Sequence, residues 1–390
     1  MMILVILLWV SLLLGQLGAL PLGGGVILYV QDIVLCLMIL TAFARYGLLT
    51  KLLRFPLMRP IALFAGLGVV SLIANVSQYP VWVVGYGSLY LVRWVAYSMF
   101  YGVILLSPYS ATFWLWWLTS FGVVLSVIGL VQFVWYPDLR NLWYLGWDPH
   151  YYRVFATLLD PNYVGILLVL TIFTLVYVFN RFRRLRAWVI MLMGLAGIAL
   201  LLTYSRSSYL GLLAGVGVGI VMLKRWKEGV FLALIILLAI VYVPKPGGDT
   251  LTLDRFDSTS ARIQNWQETI KRISERPVFG YGFNVVPFLG KKEATALPGR
   301  RGAGIDSSLL FVGVTTGLVG LVSYLWLLVA EVRLALKIKN VNVAILMFSS
   351  LGAVFVHSLF VNSLFYPWVM IWLWTLIGVA QRERKTIVGR

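Results

Sequence analysis

Arg206, Arg262 and Asp306 are the side chains in this sequence best suited by type and setting to do chemistry. Arg206 lies in Leu-Thr-Tyr-Ser-Arg-Ser-Ser-Tyr, where hydroxyls surround it and a new apolar helix is expected to start. Helix N-termini offer NH groups to anions, and a guanidinium forks onto phosphate oxygens, so the pattern suits a phosphate. The plainer alternative is an arginine that snorkels to a membrane interface. Arg262 precedes Trp266 by four residues, which puts both on neighbouring faces of one helix. With Arg206 it would clamp a diphosphate, although a lone surface arginine is usually only solvated. Asp306, in Gly-Ile-Asp-Ser-Ser-Leu-Leu, stands just before another apolar stretch. An aspartate there is a preferred helix cap. Partly buried, it would instead have a raised pKa and serve as a general base toward a hydroxyl.

Other polar groups are placed less pointedly. Arg93 falls inside an apolar stretch and His357 toward the outer part of another, so each acts on a substrate or pairs within a bundle. Asp32 is the candidate partner of Arg93. The segment from Tyr136 to Tyr152, with Trp143, Tyr144, Trp147, Tyr151 and Tyr152 beside Asp138, Asp148 and His150, reads as an interfacial aromatic belt or a sugar-binding lip. Lys291, Lys292, Arg300 and Arg301 lie in a Gly- and Pro-punctuated stretch suited to lipid headgroups. The single cysteine, Cys36, excludes an intrachain disulfide. No His/Asp/Glu cluster has metal-ligand spacing, no Gly-rich phosphate loop occurs, and no Ser-His-Asp order can be defended, so the expected chemistry needs no metal or cofactor.

The elements that must position these residues are membrane helices. Of 390 residues 61% are hydrophobic and only 12% charged, a balance that excludes a water-soluble domain of this length. Stretches of roughly 20 apolar residues, enough to cross ~30 Å of hydrocarbon, recur from end to end. The expected fold is an all-α polytopic bundle forming a single integral membrane domain, 1–390, with about a dozen spans. They fall near 2–20, 26–44, 57–76, 83–106, 112–135, 163–179, 187–204, 209–223, 229–243, 307–330, 341–361 and 367–380. The apolar run near the start has no basic residue ahead of it and reads as the first span, not as a cleaved signal.

Basic residues set the orientation. Arg181, Arg183, Arg184 and Arg186, then Lys224, Arg225 and Lys227, then Arg333, Lys337 and Lys339 recur in alternate loops, as do residues of the 45–59 and 382–390 segments. Short loops retain Lys and Arg on the cytoplasmic side, so both termini are expected there. The net charge of +18 is thus mainly a topology signal facing anionic lipids, and nucleic acid is not an expected partner. One long extracytoplasmic loop, 244–305, breaks the pattern and is where chemistry is expected. Within it, 258–275 reads as an amphipathic helix with Ile263, Trp266, Ile270 and Ile273 in a stripe, lying flat at the interface and ended by Pro277.

Four segments together resemble the O-antigen ligase and polymerase superfamily of bacterial envelope glycosyltransferases. Gly-Leu-Val-Gln-Phe (Gly129 to Phe133), followed by Arg153 and Asp-Pro-Asn-Tyr (Asp160 to Tyr163), is similar to that family's central outer loop and next helix. Leu-Thr-Tyr-Ser-Arg-Ser-Ser resembles its arginine signature. Arg262, Trp266 and Ile270, then Arg-Pro-Val-Phe-Gly-Tyr-Gly (Arg276 to Gly282), look like its loop helix and Pro-x-x-Gly-x-Gly exit. Asp-Ser-Ser-Leu-Leu through Gly-Leu-Val-Gly-Leu (Gly317 to Leu321) resembles its next span. The pattern departs from the ligases at Asp306, where they usually carry His-Asn; the departure leans toward a polymerase or related transferase. A carboxylate is thought to serve as base in the related SEDS proteins.

The resemblance implies a GT-C-like fold in the cytoplasmic membrane with an outer-face active site. It implies metal-independent, inverting transfer of a glycan from a polyprenyl (undecaprenyl) diphosphate carrier to the hydroxyl of a glycan, lipid or protein acceptor, as in lipopolysaccharide and other polysaccharide biosynthesis. In that reaction Asp306 would be the base, Arg206 and Arg262 would hold the diphosphate, and Arg153, Arg93, His357 and Trp266 would orient substrates. A secondary transporter or flippase of lipid-linked oligosaccharides is the alternative, since many transporters have a dozen spans. The matched broken helices of an inverted repeat are not evident in the sequence.

Overall fold

The computed structural model describes residues 1–23, 26–145, 147–242, 250–289 and 304–385. Lys291, Lys292, Arg300, Arg301 and part of the 244–305 loop lie outside the described residues. The first half contains α1 (Met2–Leu14), α2 (Val30–Tyr46), the short α3 (Leu48–Lys51), α4 (Met58–Ala74), α5 (Val81–Leu106), α6 (Ala111–Trp135) and α7 (Pro161–Arg181). The second half contains α8 (Arg186–Leu201), α9 (Arg206–Leu223), α10 (Trp226–Tyr242), α11 (Thr250–Glu275), α12 (Ser308–Ala335), α13 (Val341–Ser358) and α14 (Pro367–Lys385). Each apolar segment expected from the sequence contains a helix. Among the described residues seven helices, namely α5, α6, α7, α8 with its preceding turn, α9, α12 and α13, are long and apolar enough to cross a membrane.

The architecture departs from the purely helical expectation in one place. Residues expected at the end of the first span and the start of the second form an antiparallel hairpin, β1 (Ala19–Gly23) and β2 (Val26–Tyr29), with Ala19 opposite Tyr29. Gly and Pro in Leu-Pro-Leu-Gly-Gly-Gly disfavour helix, so α1 ends at Leu14 and α2 starts only at Val30. The core runs along α14, whose Trp368 and Trp372 are fully buried, and along α7, most of whose face is shielded. Trp368 donates its indole NH to the Leu12 carbonyl at 2.8 Å, which closes the last helix onto the first.

A second departure lies inside α12. Gly317 has φ 68° and ψ −173°, so the helix is broken one third of the way along. A broken helix in an apolar bundle strands backbone groups that must find partners. The Pro-x-x-Gly-x-Gly segment provides them: Tyr281 NH donates to Val314 O at 2.9 Å, Gly282 NH to Thr315 O at 3.0 Å, and Leu318 NH to Pro277 O at 2.7 Å. From α4, Ser71 Oγ lies 2.6 Å from both the Phe279 and Thr315 carbonyls, and Asn75 Nδ2 donates to Gly280 O at 3.1 Å. Arg276 completes the knot by donating to Asn75 Oδ1 at 2.5 Å.

A Cβ at Gly317 would sit 2.1 Å from the Val278 carbonyl oxygen, in a backbone conformation that L side chains rarely adopt. Gly317→Ala is therefore expected to cost at least ~1–3 kcal/mol, read as a lowered thermal midpoint in detergent. Gly66→Ala in α4, where an added Cβ meets nothing within 4 Å, should leave the midpoint unchanged or slightly raised.

Candidate active site

The N-termini of α7, α9 and α12 and the C-termini of α6, α8 and α13 lie at one end of the bundle, as the alternation of the helices requires. Each N-terminus brings the positive end of a helix dipole to this end, and the Arg- and Lys-rich turns lie at the other. Gln132, the one amide in the last two turns of α6, organises the loop that follows. Its Oε1 accepts from the Phe155 and Ala156 NH groups at 2.9 and 3.1 Å, and its Nε2 donates to the Tyr136 and Arg153 carbonyls. The aromatic segment folds back on itself through Leu139 NH to His150 O and Tyr152 NH to Pro137 O. Arg140 forks onto Asp138 at 2.9 and 2.7 Å and covers the Tyr151 ring, while Tyr144 is exposed.

The Asp-Pro-Asn-Tyr and Ser-Arg-Ser-Ser motifs interlock. Asp160 caps α7 by accepting from Asn162 NH at 2.7 Å, and Pro161 takes the first helical position, where a missing NH costs nothing. Ser205 Oγ donates to Asn162 Oδ1 at 2.9 Å, and Ser208 Oγ to Asn162 O at 3.2 Å. This approach is close because Gly165 has no side chain: a Cβ there would lie 2.4 Å from Ser208 Oγ. Arg206 is thereby the first residue of α9, with its side chain exposed at the site end. Arg153 Nε donates to Thr203 O at 2.8 Å, so it tightens the loop that presents Arg206.

The loop helix brings Arg262 to Asp306. Asn265, one turn after Arg262 on α11, accepts from Asp306 NH at 3.2 Å and donates to Gly304 O at 3.0 Å. One amide therefore grips the backbone on both sides of Ile305. Burial pushes the Asp306 carboxyl up, the Arg262 guanidinium opposes the shift, and Asp148 adds to it. Asp160 is likewise raised by burial, opposed by its bond from Asn162, and raised further by Asp148, with Arg153 opposing. Burial and Arg153 both push the His150 imidazole well below its ordinary value. Tyr163 stacks on Tyr366 at 3.6 Å with planes 5° apart, beside the carboxylates of Asp160 and Asp306.

The remaining expected residues divide. His357 is fully buried in the last turn of α13, with Nδ1 2.5 Å from Ser363 Oγ, and the Arg262 charge acts on its ring. Trp266 packs on Phe360 at 5.7 Å. Arg93 belongs to a separate network: it pairs with Asp32 at 2.8 Å, Asp32 also accepts from Tyr97 Oη at 2.6 Å, and Tyr90 and Tyr29 flank the guanidinium. That arrangement makes Arg93 the internal counter-ion of Asp32, holding α2 to α5. One expectation is corrected. The cap position of α12 belongs to Ser307, so Asp306 is not the cap. The loop helix α11 begins eight residues earlier than expected, with Trp266, Thr269 and Ile273 facing the bundle and Ile263 and Ile270 of the stripe exposed.

Sequence reading missed Asn265 and the anchoring roles of Gln132 and Asn162. The available signal was an amide at a regular position in a helix that offers it no other task. Among the described residues no group of three or more His, Cys, Asp or Glu side chains is arranged to hold a metal ion. Gln132→Leu removes four loop bonds at once, and each stranded buried group costs about 1–3 kcal/mol. The amides of Phe155 and Ala156 should then exchange hydrogen much faster than in the native chain, with those of α7 unchanged.

No curated protein matches the chain. Residues 191–325, which include Arg206, Arg262 and Asp306, match the family described as O-antigen ligase. The matched stretch is about a third of the chain. It makes the chain similar to a family of membrane glycosyltransferases that use a lipid-linked glycan donor and a glycan acceptor in general terms. The match includes the Ser-Arg-Ser-Ser motif at this end of the bundle and supports the resemblance to the O-antigen ligase/polymerase superfamily.

Proposed function

We propose that the chain transfers a glycan from a polyprenyl diphosphate to an acceptor hydroxyl at the extracytoplasmic face of the cytoplasmic membrane, without a metal and with inversion. The observation that carries this reading is the approach of α11 to the half-buried Asp306, at the end of the bundle away from the basic loops: Asn265, one turn from Arg262, bonds the backbone on both sides of Ile305, and the Arg262 charge acts on the Asp306 carboxyl. The acceptor oxygen attacks the anomeric carbon while the bond from that carbon to the diphosphate breaks. Asp306 takes the hydroxyl proton, and the diphosphate leaves with the bonding pair. Arg206 and Arg262 offset the charge that grows on the departing diphosphate, which is where stabilisation accelerates the step most. In a site of low dielectric those guanidiniums act more strongly than they would in water.

Arg153 in this scheme holds the Arg206 loop, and His357 and Trp266 line the space beside Arg262. The buried Trp266 Nε1 and Asn362 Oδ1 have no hydrogen-bond partner among the described residues, which suits a polyhydroxylated substrate. The topology that completes the proposal has about a dozen spans and both termini in the cytoplasm, following the basic loops. Asp306 stands where the ligases carry His-Asn, so the reading favours a polymerase or related transferase over a strict lipopolysaccharide ligase.

Transfer from a purified polyprenyl-diphosphate oligosaccharide, in proteoliposomes with EDTA, tests the scheme. Asp306→Asn should lower the rate by ~10²–10⁴ and Arg206→Ala and Arg262→Ala by ~10²–10³ each, with folding intact. Movement of the lipid-linked glycan across the bilayer with no new glycosidic bond would replace the transferase with a transporter. The base must be ionised, and burial raises Asp306, so the rate should fall on acidification at a pH above the ordinary aspartate value of about 3.9. A native acid limb at or below that value, or one unchanged in Asp306→Asn, would remove Asp306 from the role of base.

A further inference from the structure

A slot of about 460 Å³ runs between α7, α8, α9, α10 and α13; Arg206, Arg262 and Asp306 are not among its lining residues, and the proposed reaction does not use it. Its size is that of a small-molecule site, commonly ~300–1,000 Å³. The walls are almost wholly apolar along α9, from Tyr209 to Leu223. The two ends differ. At the end near Arg206, Tyr209 Oη donates to the Leu201 carbonyl at 2.5 Å, tying α9 to α8. At the other end the lining includes Asn180, Arg225 and Asn342, which come from the end of α7, the α9–α10 turn and the start of α13.

Around that polar end the sequence places Arg181, Arg183, Arg184, Arg186, Lys224 and Lys227. An apolar slot opening at a ring of cations is complementary to one kind of amphiphile, with hydrocarbon inside and an anionic headgroup at the rim. We infer that the slot binds an acyl chain of an anionic glycerophospholipid from the leaflet on the basic side, with its phosphate held by Arg225, Asn180 and Asn342. The tail of a lipid-linked donor is a poorer occupant. The eighteen residues of α9 from Arg206 to Leu223 span about 27 Å, so a donor whose diphosphate sits at Arg206 leaves Arg225 and the cations around the opposite rim without an anion.

Two glycines make the inference testable without disturbing the fold. Gly197 lines the slot, and Gly194, one turn earlier on α8, does not; a Cβ added at either meets nothing within 4 Å. The purified chain in nanodiscs is photolabelled with phosphatidylglycerol carrying a diazirine on one acyl chain, against the matching phosphatidylcholine probe, and labelled peptides are mapped. Phosphatidylglycerol should label α8, α9 and α10 several-fold more than phosphatidylcholine. Gly197→Phe should cut that labelling several-fold while Gly194→Phe leaves it intact, and Arg225→Gln should abolish the preference for the anionic probe. Equal labelling of the native chain by both probes would mean unselective boundary lipid and would overturn the inference. So would labelling untouched by Gly197→Phe, or displacement of the phospholipid by a polyprenyl phosphate. The readout is binding alone, so it stands or falls independently of glycan transfer.

Discussion

Backbone groups cut loose inside an apolar bundle have no water to turn to, and the break in α12 at Gly317 imposes that requirement where the site is anchored. The segment 277–282 answers it with three backbone hydrogen bonds, and Ser71 and Asn75 of α4 brace the same stretch. This knot fixes the end of α11. Because α11 runs unbroken from Thr250 to Glu275, fixing its end sets the direction of the whole helix, and with it the height at which Arg262 and Asn265 meet Asp306. A polar helix gains little from burial of its own residues, so the tertiary knot and the packing of Trp266, Thr269 and Ile273 hold it in place.

The bundle separates charge by direction as well as by position. The N-termini of α7, α9 and α12 point to the site end, and the arginines and lysines that fix topology crowd the other. An anion at the site end is therefore favoured by dipoles and by Arg206 and Arg262 without competition from the basic turns. Arg93 shows how a buried cation is handled when it is structural: Asp32, the Ile27 carbonyl and two ring faces surround it, and Tyr97 donates to the same Asp32. Arg206 is placed differently, exposed at the start of α9 beside serines that bond one another.

Most of the helices were legible in the sequence because each had to be apolar over its whole length, and Gly, Pro and charge mark their ends. The hairpin at 19–29 was not, since its strands are as apolar as the spans they interrupt. Nor was the break at Gly317, because a glycine inside an apolar run is compatible with an unbroken helix; only the pairing of 277–282 with it decides the matter. Among site residues, Arg206 and Arg262 were legible as charges out of place. Asn265 was not, because its role depends on a backbone contact 41 residues away. The cap reading of Asp306 failed for a related reason: the helix could start one residue later, at a serine.

The electrostatics around Asp306 would couple the two halves of the proposed reaction. Burial and Asp148 favour the protonated carboxyl, and the Arg262 charge opposes them. In that scheme a donor diphosphate at Arg262 would add negative charge beside that guanidinium and offset the field that favours the Asp306 carboxylate. The proton affinity of Asp306 would then rise while the donor is bound, making it the stronger base when an acceptor hydroxyl must lose its proton. On departure of the diphosphate, Arg262 would again favour the ionised carboxylate and release of the proton. Asn265, one turn from Arg262 and bonded to the backbone at Asp306, would let base strength follow donor occupancy with no moving part.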